Sequence, residues 1–360
     1  MTAIIIIGVI LLLITGGALM AGAIMFKELF VRKPDDGSTN PTVIQQALEK
    51  IRQNAPGGQV DGVKTNDKFA VLSAHVKDPK IMIPVLEAKL RWLSLLEKGE
   101  IQELSVTAYD GITLAGYLWE TAGSKGVALL VHGYTDSAAG MAYLAEEYHR
   151  LGLSVLSVDC RAHGKSGGKN ITMGYTDAKD VARWIERIQE LKGSQTNLIL
   201  HGVSMGAVTV IQALNEKTAL ESADTIRGVA ADCGFSSALD QLSQQGTVIF
   251  GSSPLIRLAT KLMLAGLSTV NYLRCGFFYS QDSARNALIR RRELATQKVP
   301  LVLFHGENDA FISPDMAHQL EEAAGSEKVL KIHVPGAPHI GSYFYDKAGY
   351  MEGVRKAFGV

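Results

Sequence analysis

Apolar and polar positions divide the chain into an uncharged N-terminal run, a short helical region and a long alternation of strands and helices. Residues Ala3–Phe26 carry no charge, and Thr15 is their only polar side chain. As a helix this run would be about 36 Å long, enough to cross a hydrocarbon core of roughly 30 Å. The pattern therefore predicts a transmembrane helix over these residues.

The charges beside this run predict its orientation. No Lys or Arg precedes it, whereas Lys27, Arg32 and Lys33 follow it. A cleaved signal peptide, with Ala21–Ala23 as the cleavage site, is the alternative, but it would need a basic segment before the apolar one. The positive-inside rule favours an uncleaved, single-pass membrane anchor with the rest of the chain on the cytoplasmic side.

The region after the anchor predicts a linker and two helices. Residues 34–40 are polar and rich in turn-forming types. Thr42 and Gln45 have the spacing of a capping box, and a second apolar helix is expected from about Pro84 to Lys98. We therefore expect three units: an anchor with its basic flank over 1–33, a linker and helical lead-in over 34–100, and the main domain over 101–360.

From residue 101 onward, short apolar strands alternate with helical stretches. Two alternating segments around Asp110-Gly111 predict a β-hairpin. The six apolar strands that follow are Val127–Val131, Ser154–Val158, Leu198–Leu200, Gly228–Ala231, Leu301–Phe304 and Val329–Val334. This order predicts an α/β fold, with a mostly parallel eight-stranded sheet covered by helices on both faces. Residues 234–298 interrupt the alternation and predict a helical cap inserted before the seventh strand.

The strongest chemical signal is the sequence Gly202-Val-Ser204-Met-Gly206. An apolar strand precedes it, and a helix of small and apolar residues follows. Gly-x-Ser-x-Gly in this setting forms a nucleophile elbow, a sharp turn that exposes the serine hydroxyl at the end of the sheet. Five residues alone are a weak signal, so the prediction of Ser204 as nucleophile depends on the strand–turn–helix context.

A serine nucleophile needs a base that titrates near neutrality and an acid that orients the base. In proteins with this elbow the chain order is serine, acid, histidine. Asp309 and His339 each follow a predicted strand and fit the roles of acid and base. Glu307 stays open as an alternative acid. Asp315 is better explained as a first-turn helix residue, and His333 lies within its strand.

An acyl-transfer site also needs N–H donors for the oxyanion of the tetrahedral intermediate. In this arrangement they are the backbone N–H after the nucleophile and one from the loop after the third strand. These groups belong to Met205 and Tyr134. We expect His132 to brace the Tyr134 loop and the polar residues 161–165 to be mainly solvated.

Composition restricts the partners. Lys plus Arg and Asp plus Glu balance at 36 each, and no basic run is interleaved with aromatic residues, so nucleic acid is not an expected partner. The three cysteines are too few and too scattered for a disulfide framework or a zinc site. The histidines lack zinc-ligand spacing, and Walker and dinucleotide-binding motifs are absent from the sequence.

Six motifs in this order resemble those of the α/β-hydrolases. They are His132–Thr135, Asp159–Gly167, Gly202–Gly206, Asp232–Ser236, His305–Asp309 and Pro338-His339. The chain is most similar to membrane-anchored bacterial members near the cinnamoyl-esterase and serine-aminopeptidase-like groups, over roughly residues 103–358. The resemblance implies a Ser204–Asp309–His339 triad that acts without a metal or organic cofactor. Residues 1–100 fall outside it.

Together the motifs predict a serine hydrolase of the carboxylesterase type, which forms an acyl-enzyme on Ser204 from a small-molecule ester. The apolar cap favours an uncharged acyl or aryl group. A peptidase or thioesterase is the alternative, because the same triad serves all three reactions. An inactive binding protein that keeps the fold is a further, less favoured alternative.

Overall fold

The structure, a computed structural model, describes residues 2–32, 39–54, 78–325 and 328–360, with side chains described from residue 15 onward. The strands are β1 (Ile101–Thr107), β2 (Thr113–Trp119), β3 (Val127–Val131), β4 (Ser154–Val158), β5 (Leu198–Val203), β6 (Ile226–Asp232), β7 (Leu301–Gly306) and β8 (Val329–Val334). The helices are α1 (Thr2–Phe30), α2 (Pro41–Asn54), α3 (Pro79–Glu97), α4 (Ala142–Arg150), α5 (Asp177–Lys192), α6 (Met205–Ala213), α7 (Lys217–Glu221), α8 (Ala238–Phe250), α9 (Pro254–Cys275), α10 (Ala284–Arg291), α11 (Pro314–Ala324), α12 (Ser342–Tyr345) and α13 (Lys347–Phe358).

Within these ranges the strands form one eight-stranded sheet in the order β1-β2-β4-β3-β5-β6-β7-β8. Strand β2 is antiparallel to both of its neighbours, and the strands from β4 to β8 pair in parallel. The predicted α/β architecture and the mostly parallel sheet are therefore confirmed. The parallel strands point their carboxyl ends to one edge, where open α/β sheets place their sites.

Two hydrophobic cores lie on opposite faces of the sheet. In β3, Leu129 belongs to one core and Leu130 to the other, because successive side chains of a strand point to opposite faces. Helices α5, α6 and α11 cover the first core, and α3, α4 and α13 cover the second. Because helices cover both faces of the sheet, β3 and β4 are buried along their whole length.

Helices α8, α9 and α10 lie between β6 and β7, and we call them the insert. They occupy the segment in which the sequence predicts a helical cap. Helix α9 begins at Pro254, whose preceding Ser253 accepts a hydrogen bond from the Ile256 N–H, and ends before Gly276 in the left-handed conformation. The buried residues Leu264 and Leu267 join the insert to the first core.

The predicted transmembrane helix is wrong. Among the described residues, no helix combines the length and the apolar character that crossing a membrane requires. The same finding overturns the predictions that depended on this helix. These are the membrane anchor, the membrane as a partner of residues 3–26, and the membrane localisation.

Packing within the protein accounts for some of the apolar side chains in the second half of α1, whereas Leu19, Met20 and Ile24 are exposed. Phe26 and Phe30 are each only 2% exposed and belong to the first core. Helix α1 lies along α9 at such close range that a Cβ atom built on Gly22 would be 2.3 Å from the carbonyl carbon of Gly266. A Cβ on Gly266 would be 1.9 Å from the carbonyl oxygen of Ala18, so the contact requires glycine.

The lead-in helices differ in detail from the prediction. The side chain of Asn40, and not that of Thr42, accepts a hydrogen bond at the start of α2, from the Thr42 N–H at 2.9 Å. Helix α3 begins at Pro79, with Asp78 as its cap, and continues through Pro84. The predicted linker over 34–40 falls largely outside the described residues.

We predict that Gly266→Ala separates α1 from α9, because the added methyl group would overlap the Ala18 carbonyl. The free energy of unfolding should fall by about 1–3 kcal/mol, as for other overpacked contacts. Urea denaturation, with proteolysis of α1 as a second readout, measures the effect. Gly17→Ala is the matched control, since nothing lies within 4 Å of that position. Equal stability of Gly266→Ala and the wild type would contradict the packing described here.

Candidate active site

Ser204 lies at the turn between β5 and α6, in a conformation that few non-glycine residues adopt. Its backbone angles are φ 56° and ψ −117°. Such geometry costs on the order of 1–3 kcal/mol and persists only where the surrounding structure enforces it. The Ser204 N–H donates to the Asp232 carbonyl at 2.8 Å, and its own carbonyl accepts from the Ala207 N–H at 3.0 Å.

The two glycines of the elbow allow the backbone to pack at this turn. A Cβ on Gly202 would lie 2.0 Å from the carbonyl oxygen of Gly206. A Cβ on Gly206 would lie 2.0 Å from the carbonyl oxygen of Val131, at the end of β3. Because the obstructing atoms are backbone atoms that cannot rotate away, only glycine fits at either position. Ser204 is held where β5, α6 and the end of β3 meet.

Ser204, His339 and Asp309 form a continuous chain of hydrogen bonds. The Ser204 hydroxyl lies 3.0 Å from His339 Nε2, and His339 Nδ1 lies 2.8 Å from Asp309 Oδ2. A carboxylate only accepts, so Nδ1–H donates to Asp309 and leaves Nε2 free to accept the serine proton. The three residues are 6%, 3% and 3% exposed, respectively.

Asp309 is held as a carboxylate. Burial alone would raise its pKa, but the charge and hydrogen bond of His339 outweigh burial and leave the pKa below its ordinary value. The other oxygen, Oδ1, accepts from the backbone N–H groups of Phe311 at 2.9 Å and Ile312 at 2.8 Å. These bonds orient the carboxylate towards the imidazole.

The rival candidates lie away from this chain of hydrogen bonds. Glu307 is exposed, and His339 contacts Asp309 instead. Asp315 is exposed in the first turn of α11, as expected. His333 Nε2 lies 2.5 Å from Glu321 Oε1, on the side of β8 that faces α11. The structure thus brings together the three side chains that the sequence analysis favoured.

The two candidate oxyanion donors flank the serine. Met205 is the first residue of α6, where backbone N–H groups lack partners within the helix. Tyr134 lies in the loop after β3, and its neighbour Gly133 packs so closely that a Cβ there would be 3.3 Å from Ser204 Cβ. No acceptor among the described residues takes the N–H of Met205 or Tyr134. Both groups are therefore available to a ligand atom.

His132 braces the same loop, as expected from the sequence. Its Nδ1–H donates to the Gly133 carbonyl at 2.7 Å, and its Nε2 accepts from the Cys160 N–H at 3.0 Å. Both ring nitrogens are engaged with the backbone, so His132 has no free nitrogen with which to act as a base.

The loop over 161–165 differs from the expectation of solvated charges. Arg161 is buried and makes a bidentate pair with Asp180, with both distances at 2.7 Å, and a further contact of 3.0 Å with Asp110. His163 is also buried and accepts the Thr135 N–H through Nε2 at 3.1 Å. Of the polar side chains in this loop, only Lys165 is exposed, beside Glu103. The sequence analysis missed His163 because its partner lies 28 positions away.

A second buried polar network lies beneath the elbow. Asp232 accepts from the Ser342 hydroxyl at 2.8 Å and from the Tyr350 hydroxyl at 3.2 Å, and burial raises its pKa to about 7. His201 in β5 joins the Tyr350 and Tyr148 hydroxyls at 2.8 Å each. Burial lowers the pKa of His201 to about 3, so its imidazole stays neutral.

This network predicts a pH dependence of stability. Between about pH 3 and 6.5, the unfolded chain binds a proton at His201 that the folded chain does not, so the contribution of His201 to stability is lost as the pH falls. The free energy of unfolding of the wild type should therefore fall relative to His201→Gln by about 1.4 kcal/mol per pH unit between pH 6 and 4. Urea denaturation at each pH measures this difference. Parallel stability curves for the two proteins would contradict it.

Two clusters in the described part of the chain have donor atoms close enough for a metal ion. Cys233, Asp309 and His339 form one, but the Asp309–His339 hydrogen bond would have to break to bind a metal. The other cluster consists of His318 and Glu321 in α11 and His333 in β8. The Lys331 ammonium already lies 3.9 Å from Glu321. Neither cluster calls for a metal in the chemistry at Ser204, and the expected absence of a cofactor stays a prediction.

Comparison with known proteins agrees with this fold. The family model described as serine aminopeptidase, S33, matches residues 122–238. The Bacillus subtilis protein YqkD is 24% identical over 262 residues, covering 72% of this chain and 80% of that protein. A monoacylglycerol lipase of Mycolicibacterium smegmatis is 24% identical over 256 residues, covering 66% of this chain and 89% of the lipase.

Among solved structures, an esterase of Pyrococcus furiosus aligns with a TM-score of 0.55 at 22% sequence identity, over 72% of this chain and 92% of the esterase. At that identity the similarity shows the fold alone. Taken with the sheet order and the elbow, these matches define the class: the chain has the α/β-hydrolase fold and is similar in sequence to members of that superfamily. The family model and the relatives also support hydrolase activity.

Proposed function

We propose that this protein is a serine hydrolase that cleaves carboxylic esters, with Ser204 as nucleophile, His339 as base and Asp309 as the orienting acid. The observation that carries the proposal is the hydrogen-bond chain from Asp309 through His339 to Ser204. It meets the geometric requirement for a nucleophile, a base within 2.6–3.2 Å and a group that orients the base.

The mechanism follows from the position of the protons. His339 Nε2 takes the proton of Ser204 as Oγ attacks the carbonyl carbon, and Asp309 stabilises the imidazolium that forms. The N–H groups of Met205 and Tyr134 donate to the oxyanion of the tetrahedral intermediate. His339 then gives its proton to the departing alcohol, and an acyl-enzyme remains. Water, deprotonated by His339, attacks the acyl-enzyme and releases the acid.

The surroundings of the site favour an uncharged acyl group. Phe311 packs against the His339 ring, with ring centroids 4.9 Å apart, and Phe235 belongs to the core that also contains Met205. The M. smegmatis relative is a monoacylglycerol lipase, which agrees with an ester substrate. A peptidase or thioesterase with the same triad remains the alternative, and the family description names an aminopeptidase.

We further propose that residues 101–360 form the catalytic domain and that residues 234–298 act as its cap. The low exposure of Ser204 supports this division, because a substrate reaches its hydroxyl only if some covering element moves aside. The described parts of residues 1–33 and 34–100 are then additions that pack on the catalytic domain.

The first prediction for this mechanism concerns the triad. Ser204→Ala and His339→Ala should abolish labelling by a fluorophosphonate and lower kcat on p-nitrophenyl butyrate by roughly 10⁴–10⁶-fold. Asp309→Asn should lower kcat by about 10⁴-fold, since the imidazole would then favour the wrong tautomer. Ser94→Ala, an exposed position on α3, is the control and should react like the wild type.

A folded wild type that neither labels nor turns over would contradict the catalytic proposal and favour the binding-protein alternative. Labelling that survives in Ser204→Ala would move the nucleophile to another serine.

The second prediction concerns the substrate class. We expect the specificity constant kcat/KM to be highest for p-nitrophenyl acyl esters, lower for acyl-CoA thioesters and lowest for aminoacyl p-nitroanilides. Of the buried carboxylates beside Ser204 and His339, Asp309 and Asp232 already accept hydrogen bonds, so neither is open to the ammonium group of an aminopeptidase substrate. Faster cleavage of the anilides would instead favour the peptidase.

A further inference from the structure

The last turn of α1 contacts the loop that carries one of the proposed oxyanion donors. The Tyr134 hydroxyl donates to the carbonyl oxygen of Leu29, 105 positions earlier in the sequence. Leu29 is one residue from the end of α1, where helix carbonyls have no partner within the helix. The hydroxyl thus supplies the missing donor, and this hydrogen bond connects α1 to the Tyr134 loop.

The same end of α1 also fixes the neighbouring loop. The Phe30 carbonyl accepts from the Ile171 N–H at 2.7 Å, and the Arg32 N–H donates to the Lys169 carbonyl at 2.8 Å. The Arg32 guanidinium donates to the Ser166 carbonyl at 2.6 Å. Residues 29–32 therefore hold two loops at once, and we call this segment the α1 clasp.

The loop that carries His163 also contacts the Tyr134 loop. His163 Nδ1–H donates to the Arg161 carbonyl at 2.9 Å, so Nε2 is the acceptor for the Thr135 N–H at 3.1 Å. Burial, with the nearby His132, lowers the pKa of His163 to about 4, and the ring therefore remains a neutral acceptor near pH 7. Thr135 has a φ of 59°, a conformation that its surroundings must enforce.

Tyr134 is held from both sides by these contacts. Its side chain is bonded to the α1 clasp, and the residue that follows it is bonded to His163, which sits in the loop that the clasp also fixes. Its backbone N–H lies between these two attachments and has no acceptor among the described residues. A donor that must meet a developing oxyanion gains most from such fixed placement, because no reorganisation is needed during the reaction.

We propose that the α1 clasp is a positioning element for the oxyanion site: through the Tyr134 hydroxyl it sets the direction of the Tyr134 N–H. The proposal rests on the proposed function and extends it to a segment that lies outside residues 122–238, which the family model matches. Because the oxyanion forms only on the way to the tetrahedral intermediate, loss of the contact should affect the transition state more than substrate binding.

The test is Tyr134→Phe, which removes the hydroxyl and keeps the ring. We expect kcat to fall about tenfold, less than the 10²–10³-fold loss of an entire oxyanion donor, with KM within about twofold of the wild type. Binding of a trifluoromethyl ketone, which forms a tetrahedral adduct with the serine, should weaken by the same factor as kcat. Arg32→Met removes a different contact of the clasp and should produce the same pattern with a smaller loss.

Tyr345→Phe is the matched control. The Tyr345 hydroxyl donates to Asp78 Oδ2 at 2.8 Å and likewise joins the main domain to an earlier segment, but it does not contact the Tyr134 loop. We expect its kcat and ketone affinity to equal those of the wild type. Thermal denaturation of all four proteins identifies any loss that comes from unfolding.

Two results would overturn the positioning role. One is an unchanged kcat and ketone affinity in both Tyr134→Phe and Arg32→Met while the wild type turns over. The other is an equal fall of kcat in the clasp variants and in Tyr345→Phe, which would indicate a general effect of loosening the N-terminal segments. An inactive wild type would instead contradict the proposed function, and with it this inference.

Discussion

The close approach of three backbone segments at Ser204 is the constraint on which the rest of the site depends. The elbow works only because Gly202 and Gly206 leave room for the carbonyl groups of Gly206 and Val131. This contact fixes the end of β3 relative to the first turn of α6, and with it the positions of the Met205 and Tyr134 N–H groups. The strain at Ser204 is offset by the packing of a sheet and helices that are buried on both faces.

Buried polar groups hold the elements that carry the other two residues of the proposed triad. Asp309 takes its orientation from the backbone of the following turn, and Asp232 bonds to Ser342 and Tyr350 just beyond the His339 loop. Each group is largely satisfied by hydrogen bonds, which makes its burial tolerable. Rigid placement of His339 and Asp309, the proposed base and acid, is thus a property of the hydrogen-bonded framework beneath them.

The sequence predicted those features whose information is local. Strand periodicity, the Gly-x-Ser-x-Gly turn and polar residues at strand ends lie within a few positions of one another, so the sheet and the grouping of Ser204, Asp309 and His339 could be anticipated. The contacts of Tyr134 with Leu29 and of Thr135 with His163 join residues that are distant in sequence, so no local sequence pattern predicts them. The transmembrane prediction failed for a related reason: hydropathy records that a segment is apolar, but it does not record that Phe26 and Phe30 pack against the protein itself.

The pairing of α1 with α9 has a consequence for the order of folding. Gly22 and Gly266 are 244 positions apart in the sequence, so the ribosome completes α1 long before its partner helix exists. At roughly 5–20 residues per second, the apolar side of α1 waits on the order of tens of seconds for α9. Contacts between such distant segments form late, because their loop-closure entropy is repaid only after the intervening sheet has assembled. Helix α1, although it is synthesised well before α9, therefore gains this packing contact only late in folding.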